Sequence, residues 1–305
     1  MRISALLILV ALSLFASGCP KDVPPAVSLT PEQKAEQERE ATAAAALDHA
    51  MQLMHDGQFL DPETALDYLD QALDLDPTLT TARYQRAGIL ITKERYDEAL
   101  ADLDYIVEHR PDYMQAHYTR GFLMLQRNDF REAAREYTKV IKADSTMAEA
   151  YVRRGLSYLN LDRADEAVDD FTNALALDPA NLDANYNRGM AYMRIREFEL
   201  ALKDLSQAFI LDSDNSRIIM ARARAAMELK LFTRAAADLQ RAIAMEPSRN
   251  ALYALLAEAL KGTDDMDGAI EALRKASALA QASGDEGMAE TYRRQLEEYL
   301  DQTYP

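Results

Sequence analysis

Proline recurs at Pro77, Pro111, Pro179 and Pro247, and every interval is 34 residues or twice 34. The two skipped slots hold Ser145 and Ser213. Alanine keeps the same step at Ala65, Ala99, Ala133, Ala167, Ala201, Ala235 and Ala269. Seven identical residues in one phase make most of the chain a tandem array of one short unit. Such a unit is too small to bury a core alone, so stability has to come from stacking neighbours. An array of this kind replaces the two ordinary domains that 305 residues would otherwise suggest.

The unit is helical. Ten Gly and ten Pro are few for a turn-rich β fold, and 49% hydrophobic residues are enough for a core. Segments such as Glu98 to Glu108 place apolar residues three and four apart. Proline then stops the second helix of each unit by removing a backbone donor. The period and its residues resemble the tetratricopeptide repeat. The small residue of that repeat's helix A stands at Ala87, Gly121, Gly155, Gly189, Ala223 and Ala257. Its large residue late in helix B stands at Leu69, Leu103, Tyr137, Phe171, Leu205, Leu239 and Leu273. The usual Trp early in helix A is absent, and Tyr84, Tyr118, Tyr151, Tyr186 and Tyr253 stand at or beside its slot. The resemblance implies an all-α fold: a right-handed α-solenoid of about seven 34-residue helix-turn-helix repeats.

Counting from Ala46, seven repeats reach Ser283. Ahead of them, Thr30-Pro31-Glu32-Gln33 reads as a capping box with proline at the first helical position. The helix it opens merges with the first repeat, so residues 31–283 form the repeat domain with an extended N-terminal helix. After Gly284, Asp285 caps a last helix to about Asp301, within a C-terminal capping segment 284–305. Arg293, Arg294, Glu297, Glu298 and Asp301 keep one side of that helix wet, as the end of a repeat array needs.

At the other end, Arg2 precedes an apolar run from Ile3 to Phe15, too short to span a bilayer comfortably. Ala16-Ser17-Gly18 then leads to Cys19, the one cysteine of the chain. This resembles the lipobox of bacterial lipoproteins, with Ala16 where Leu is usual. The resemblance implies a signal peptide over 1–18 and acylation of Cys19, palmitate among the acyl chains. Several acyl chains anchor a protein stably where one does not. Pro20, in place of the Asp that resembles an inner-membrane retention signal, points to an outer-membrane lipoprotein facing the periplasm. Residues 19–30, with Pro20, Pro24 and Pro25, read as an extended tether.

Chemistry is sparse. One cysteine excludes a disulfide framework and a cysteine metal site. His49, His55, His109 and His117 have no metal spacing, and there is no phosphate-binding glycine loop or nucleophile elbow. We therefore expect no enzyme, no metal and no cofactor. The net charge of −17 makes nucleic acid an unsuitable partner. Arginine repeats at Arg86, Arg120, Arg154, Arg188 and Arg222, and an acid sixteen residues later at Asp102, Glu136, Asp170, Asp204 and Asp238. Repeats one and seven lack both members. Joint presence points to an ion pair, within one repeat or between neighbours, that sets register more than it adds stability. A ladder for an anionic ligand would not need a matched acid each time.

In tetratricopeptide arrays helix A lines a ligand groove. The resemblance places Tyr84, Tyr118 and Tyr186 in one groove column and Phe122, Leu156 and Met190 in the next. Lys and Asn, which clamp a terminal carboxylate in the best-known charged version, are missing from both columns. The expected activity is that of a membrane-tethered scaffold or adaptor binding an apolar or aromatic segment of an envelope protein, for example in pilus or envelope assembly. The rival expectation is a self-associating structural lipoprotein, a homo-oligomer whose groove is filled by its own N-terminal helix or by a second copy.

Overall fold

The computed structural model describes residues 29–303, so the signal peptide, Cys19 and nearly all of the tether lie outside the described residues. The described residues fall into two compact units, divided after Thr78.

The first unit holds α1 (Pro31–Gln52), a short antiparallel hairpin β1 (Met54–His55) and β2 (Gln58–Phe59), and α2 (Pro62–Leu75). The capping box forms as the sequence predicts: Thr30 Oγ1 accepts from the Gln33 amide and Gln33 Oε1 accepts from the Thr30 amide. Residues 31–42 of α1 bury no side chain, whereas Ala43, Ala46 and Ala50 are buried, as are Ala65, Leu69 and Ala72 of α2. Counting by 34 carries helix A of the first repeat through Met54 and Gly57. The helix stops at Gln52, and both residues belong to the hairpin. Asp56 and Gly57 have φ of 48° and 78°. Two successive left-handed residues, ending in glycine, match the two-residue turn that closes such hairpins.

The second unit is a stack of helix pairs: α3 (Thr80–Thr92) with α4 (Tyr96–His109), α5 (Met114–Gln126) with α6 (Phe130–Ala143), α7 (Ala148–Asn160) with α8 (Ala164–Leu177), α9 (Leu182–Arg194) with α10 (Phe198–Leu211), α11 (Ser216–Glu228) with α12 (Phe232–Met245), and α13 (Asn250–Gly262) with α14 (Met266–Ala282). A last helix, α15 (Glu286–Thr303), packs on α14. Asp285 caps it through the Met288 amide, and Ala289, Tyr292 and Tyr299 form its buried side. Each helix packs on the next in sequence. The first helix of a pair also touches the first helix of the next pair, as α5–α7, α7–α9 and α9–α11 show. The fold is the expected all-α solenoid.

Two local devices repeat with the period. The turn inside each pair of the second unit carries one left-handed residue, at Glu94, Asn128, Asp162, Arg196, Lys230 and Asp264, spaced by 34. None is glycine, so the tight turn is held by the packing of the two helices it joins. In every pair but the last the second helix stops two residues before the proline slot, whether or not proline fills it: α6 and α10 stop before Ser145 and Ser213 just as α4 stops before Pro111, whereas α14 runs through the slot at Gln281 to Ala282. An aspartate covers the exit in most repeats. Asp76, Asp144, Asp178 and Asp212 each accept from the amide two residues on, at 2.9, 2.8, 3.1 and 3.3 Å. This Asx turn, and not the proline alone, redirects the chain.

Candidate functional site

The first helix of each pair presents the residues singled out from the sequence: Tyr84 on α3, Tyr118 and Phe122 on α5, Leu156 on α7, and Tyr186 and Met190 on α9. All six are half-buried. Two of them share a pocket. Tyr84 and Tyr118 line a cleft of about 480 Å³ together with Met114, Val140 and Met147, with Asp144 and Glu149 at its edge. The Tyr84 ring lies 5.4 Å from that of Tyr113, and its hydroxyl is 3.3 Å from Thr119 Oγ1. Tyr118 stands edge-on to the fully buried Tyr137 ring at 5.6 Å. Burial pushes the Tyr118 phenol up, helped by the Glu149 charge and opposed by Arg153. Glu149 is held in turn by Arg153 at 2.7 Å. Both pocket tyrosines therefore offer apolar faces and fixed orientations beside carboxylates.

The other four candidates lie elsewhere. Leu156 packs on the core shared by α7, α8 and α9. Tyr186 and Met190 pack on the core that runs from α10 to α15. The cleft beside Tyr186, lined also by Leu182, Asn215 and Ile218, holds only about 30 Å³. Phe122 lines neither cleft.

Met114 and Met147 complete the cleft and stand outside the two family columns. Their signal lies at the helix starts. The N-cap slots of α3, α5 and α7 hold Leu79, Tyr113 and Met147, none of which makes a side-chain cap bond. The same slot in α9 and α11 holds Asn181 and Asn215, which do cap. An apolar N-cap sacrifices about 1 kcal/mol. Of these three N-cap residues Met147 lines the cleft, and Met114, the first residue of α5, lines it beside Tyr113.

The arginine ladder is engaged within each repeat. Arg86, Arg154, Arg188 and Arg222 each grip the acid sixteen residues later with Nε and one terminal nitrogen; for Arg154 and Asp170 the distances are 2.8 and 2.7 Å. Repeat three departs from this. Buried His117 lies with Nδ1 2.6 Å from Glu136 and Nε2 3.1 Å from the Pro111 carbonyl, which leaves Arg120 one bond to Glu136 and one to Asp104. Although burial raises the Glu136 carboxyl, the bonds from His117 and Lys139 and the charges of Lys139 and Arg120 hold it below its ordinary value. Every rung is a structural ion pair; Asp102 also takes a bond from Arg83 at 2.9 Å, and Glu136 is shared by His117, Arg120 and Lys139.

Among the described residues no cluster of His, Cys, Asp or Glu is arranged to hold a metal ion, and no helix is long and apolar enough to cross a membrane.

A stack of helix hairpins whose first helices carry half-buried aromatic side chains into a cleft defines an α-solenoid of the protein-interaction class. Tetratricopeptide-repeat profiles match residues 57–148 and 220–285, 148–181 and 182–215. The chain belongs to the tetratricopeptide-repeat family. No curated protein matches it significantly. Among solved structures it is similar to YrrB, described as a TPR protein with an unusual peptide-binding site, with a TM-score of 0.56 and 20% identity over 63% of this chain and 97% of that one. A tetratricopeptide repeat protein from Parabacteroides merdae aligns over 85% of this chain and 99% of its own, with a TM-score of 0.56 and 15% identity. MamA from Desulfovibrio magneticus aligns over 57% and 97%, with a TM-score of 0.52 and 21% identity. These likenesses establish the fold.

Proposed function

We propose that the protein is a non-catalytic scaffold, held at the bacterial outer membrane by a lipid on Cys19, that captures a segment of another envelope protein in the cleft of Tyr84 and Tyr118. The observation that carries this reading is the cleft itself: two tyrosines and two methionines exposed to a ligand, with Asp144 and Glu149 beside them. Tyrosine gives contact area at low entropy cost and methionine adapts to irregular shapes. The ligand that fits is a large apolar or aromatic side chain with a basic residue next to it, in an extended or helical segment. A peptide-binding relative of the same fold, YrrB, is in keeping with this use. Peptide-display selection on the purified soluble region should enrich such sequences. Tyr84→Ala with Tyr118→Ala should abolish the enrichment at nearly unchanged helicity. Equal enrichment on the double variant, or none on the wild type, would place binding elsewhere.

The anchor is tested separately. Cys19→Ser should leave the precursor uncleaved and remove labelling by a fatty-acid analogue. Persistent labelling, or wild-type protein that fractionates as soluble periplasmic material, would refute the tether and leave the cleft untouched.

A further inference from the structure

Helix α6 carries four cations at positions that are acidic or neutral in repeats one, two and four. Four positions recur in register on the second helix of each repeat. In repeat three they hold Arg131, Arg135, Lys139 and Lys142, all exposed. In repeat one they hold Glu63, Asp67, Gln71 and Asp74; in repeat two Asp97, Ala101, Tyr105 and Glu108; in repeat four Asp165, Asp169, Asn173 and Ala176. No other repeat fills all four with one sign of charge. The contrast stands out further because the chain as a whole carries −17.

The four cations do not lie on a flat face. With Arg163 and Tyr158 they line a concavity of about 530 Å³ whose lining contains no carboxylate. Its wall is built: the Arg163 guanidinium sits 4.6 Å over the Tyr158 ring and is oriented by Glu166 at 2.7 Å, while Arg154 lies 5.9 Å from the same ring. Arg135 and Lys139 pair sideways with Glu132 and Glu136, their own helix neighbours. Arg131 and Lys142, at the two ends, make no ion pair among the described residues. Glu132, Glu136 and Glu166 offset three of the five cations, and an anionic occupant would pair with Arg131 and Lys142.

We propose that this pocket is a second binding site, independent of the tyrosine cleft, and that it takes a short acidic peptide segment of a partner protein. Length selects the occupant. Eleven residues of helix separate Arg131 from Lys142, about 16 Å at 1.5 Å per residue. One phosphate group is far shorter, whereas about five residues of extended chain cover that distance. The carboxylates of Asp97, Glu108, Asp165 and Asp169 on the flanking helices repel a longer polyanion such as a nucleic-acid strand, so the anion has to be short.

The test is fluorescence anisotropy of a labelled hexaglutamate peptide with the full chain in detergent. Binding that weakens as salt rises is expected. Arg131→Glu with Arg135→Glu should reduce affinity by at least roughly tenfold, since like charge replaces attraction at two contacts. The milder Lys139→Ala with Lys142→Ala should reduce it in the same direction, so a folding defect in one variant does not decide the matter. Tyr84→Ala with Tyr118→Ala should leave it unchanged, which separates this site from the cleft. The proposal fails if the peptide does not bind, or if the charge variants bind it equally. It also fails if inorganic pyrophosphate or a short DNA strand binds as tightly, or if the charge variants abolish self-association of the chain and not peptide binding.

Discussion

Arg154→Met should be among the most damaging single changes in the solenoid, costing roughly 3–5 kcal/mol if its partner behaves as a buried charge. Asp170 is nearly inaccessible, with 4% of its side chain exposed against 16% for Arg154. Removing the arginine strands a carboxylate that water cannot reach. Removing the aspartate leaves a guanidinium that still touches solvent and Thr138, so Asp170→Leu should cost less, about 1–3 kcal/mol. Burial already pushes the Asp170 carboxyl up against the pull of Arg154. A group raised in the folded state stabilises the fold at low pH and loses that contribution as pH rises. The penalty of Arg154→Met should therefore grow as pH climbs through the carboxylate range and be small in acid. The double variant Arg154→Met with Asp170→Leu should recover most of the loss, because an apolar pair of similar volume needs no desolvation. Urea unfolding of the four proteins forms the cycle. Additive single effects would show that the pair does not couple, and a pH-independent loss would show that Asp170 is not the stranded group.

The periodic part of this architecture was legible because each repeat solves the same packing problem with the same residue type. The alanines at Ala65 and its equivalents, the capping box at Thr30 and the cap at Asp285 all rest on local chemistry that one sequence displays. The hairpin at Asp56-Gly57 was hidden by the regularity itself. Ala65 and Pro77 keep phase across it, so counting by 34 gives no hint that α1 ends at Gln52. The glycine turn signal was present and was outvoted by the period. The partner of each ladder arginine was not legible either, since a spacing of sixteen fits a pair within a repeat as well as one across a stacked neighbour. His117 shows why geometry decides: a histidine three residues before Arg120 takes half of Glu136 and sends the arginine to Asp104. At the site, Tyr84 and Tyr118 followed from the family columns. Met114 and Met147 did not, because a methionine at a helix start looks like a weak cap until the pocket is seen.

Gly155→Ala should destabilise the protein even though alanine is the better helix former by about 1 kcal/mol. A Cβ at Gly155 would sit 2.8 Å from Phe171 Cε1 and 3.0 Å from its Cζ. Phe171 is fully buried and its ring is rigid, so either the ring or the helix must move. Overpacking of this kind costs about 1–3 kcal/mol, and Gly155→Val should cost more. The neighbouring repeats show the physical rule. Aromatic Tyr137 and Phe171 stand opposite Gly121 and Gly155, while Leu103, Leu239 and Leu273 share their repeats with Ala87, Ala223 and Ala257. Gly189 departs from this pattern: a Cβ there would sit 2.8 Å from Leu205 Cγ, so a leucine can also close on a glycine. Gly155→Ala with Phe171→Leu rebuilds the pairing of three other repeats and should be more stable than Gly155→Ala alone. Gly88→Ala is the control. A Cβ there meets nothing within 4 Å, so it should gain up to about 1 kcal/mol from helix propensity. Thermal and urea melts of the four variants decide the question. If Gly155→Ala stabilises as much as Gly88→Ala, the ring gives way freely. Helix separation in the solenoid is then set by the alanine columns and not by the glycine beneath each ring.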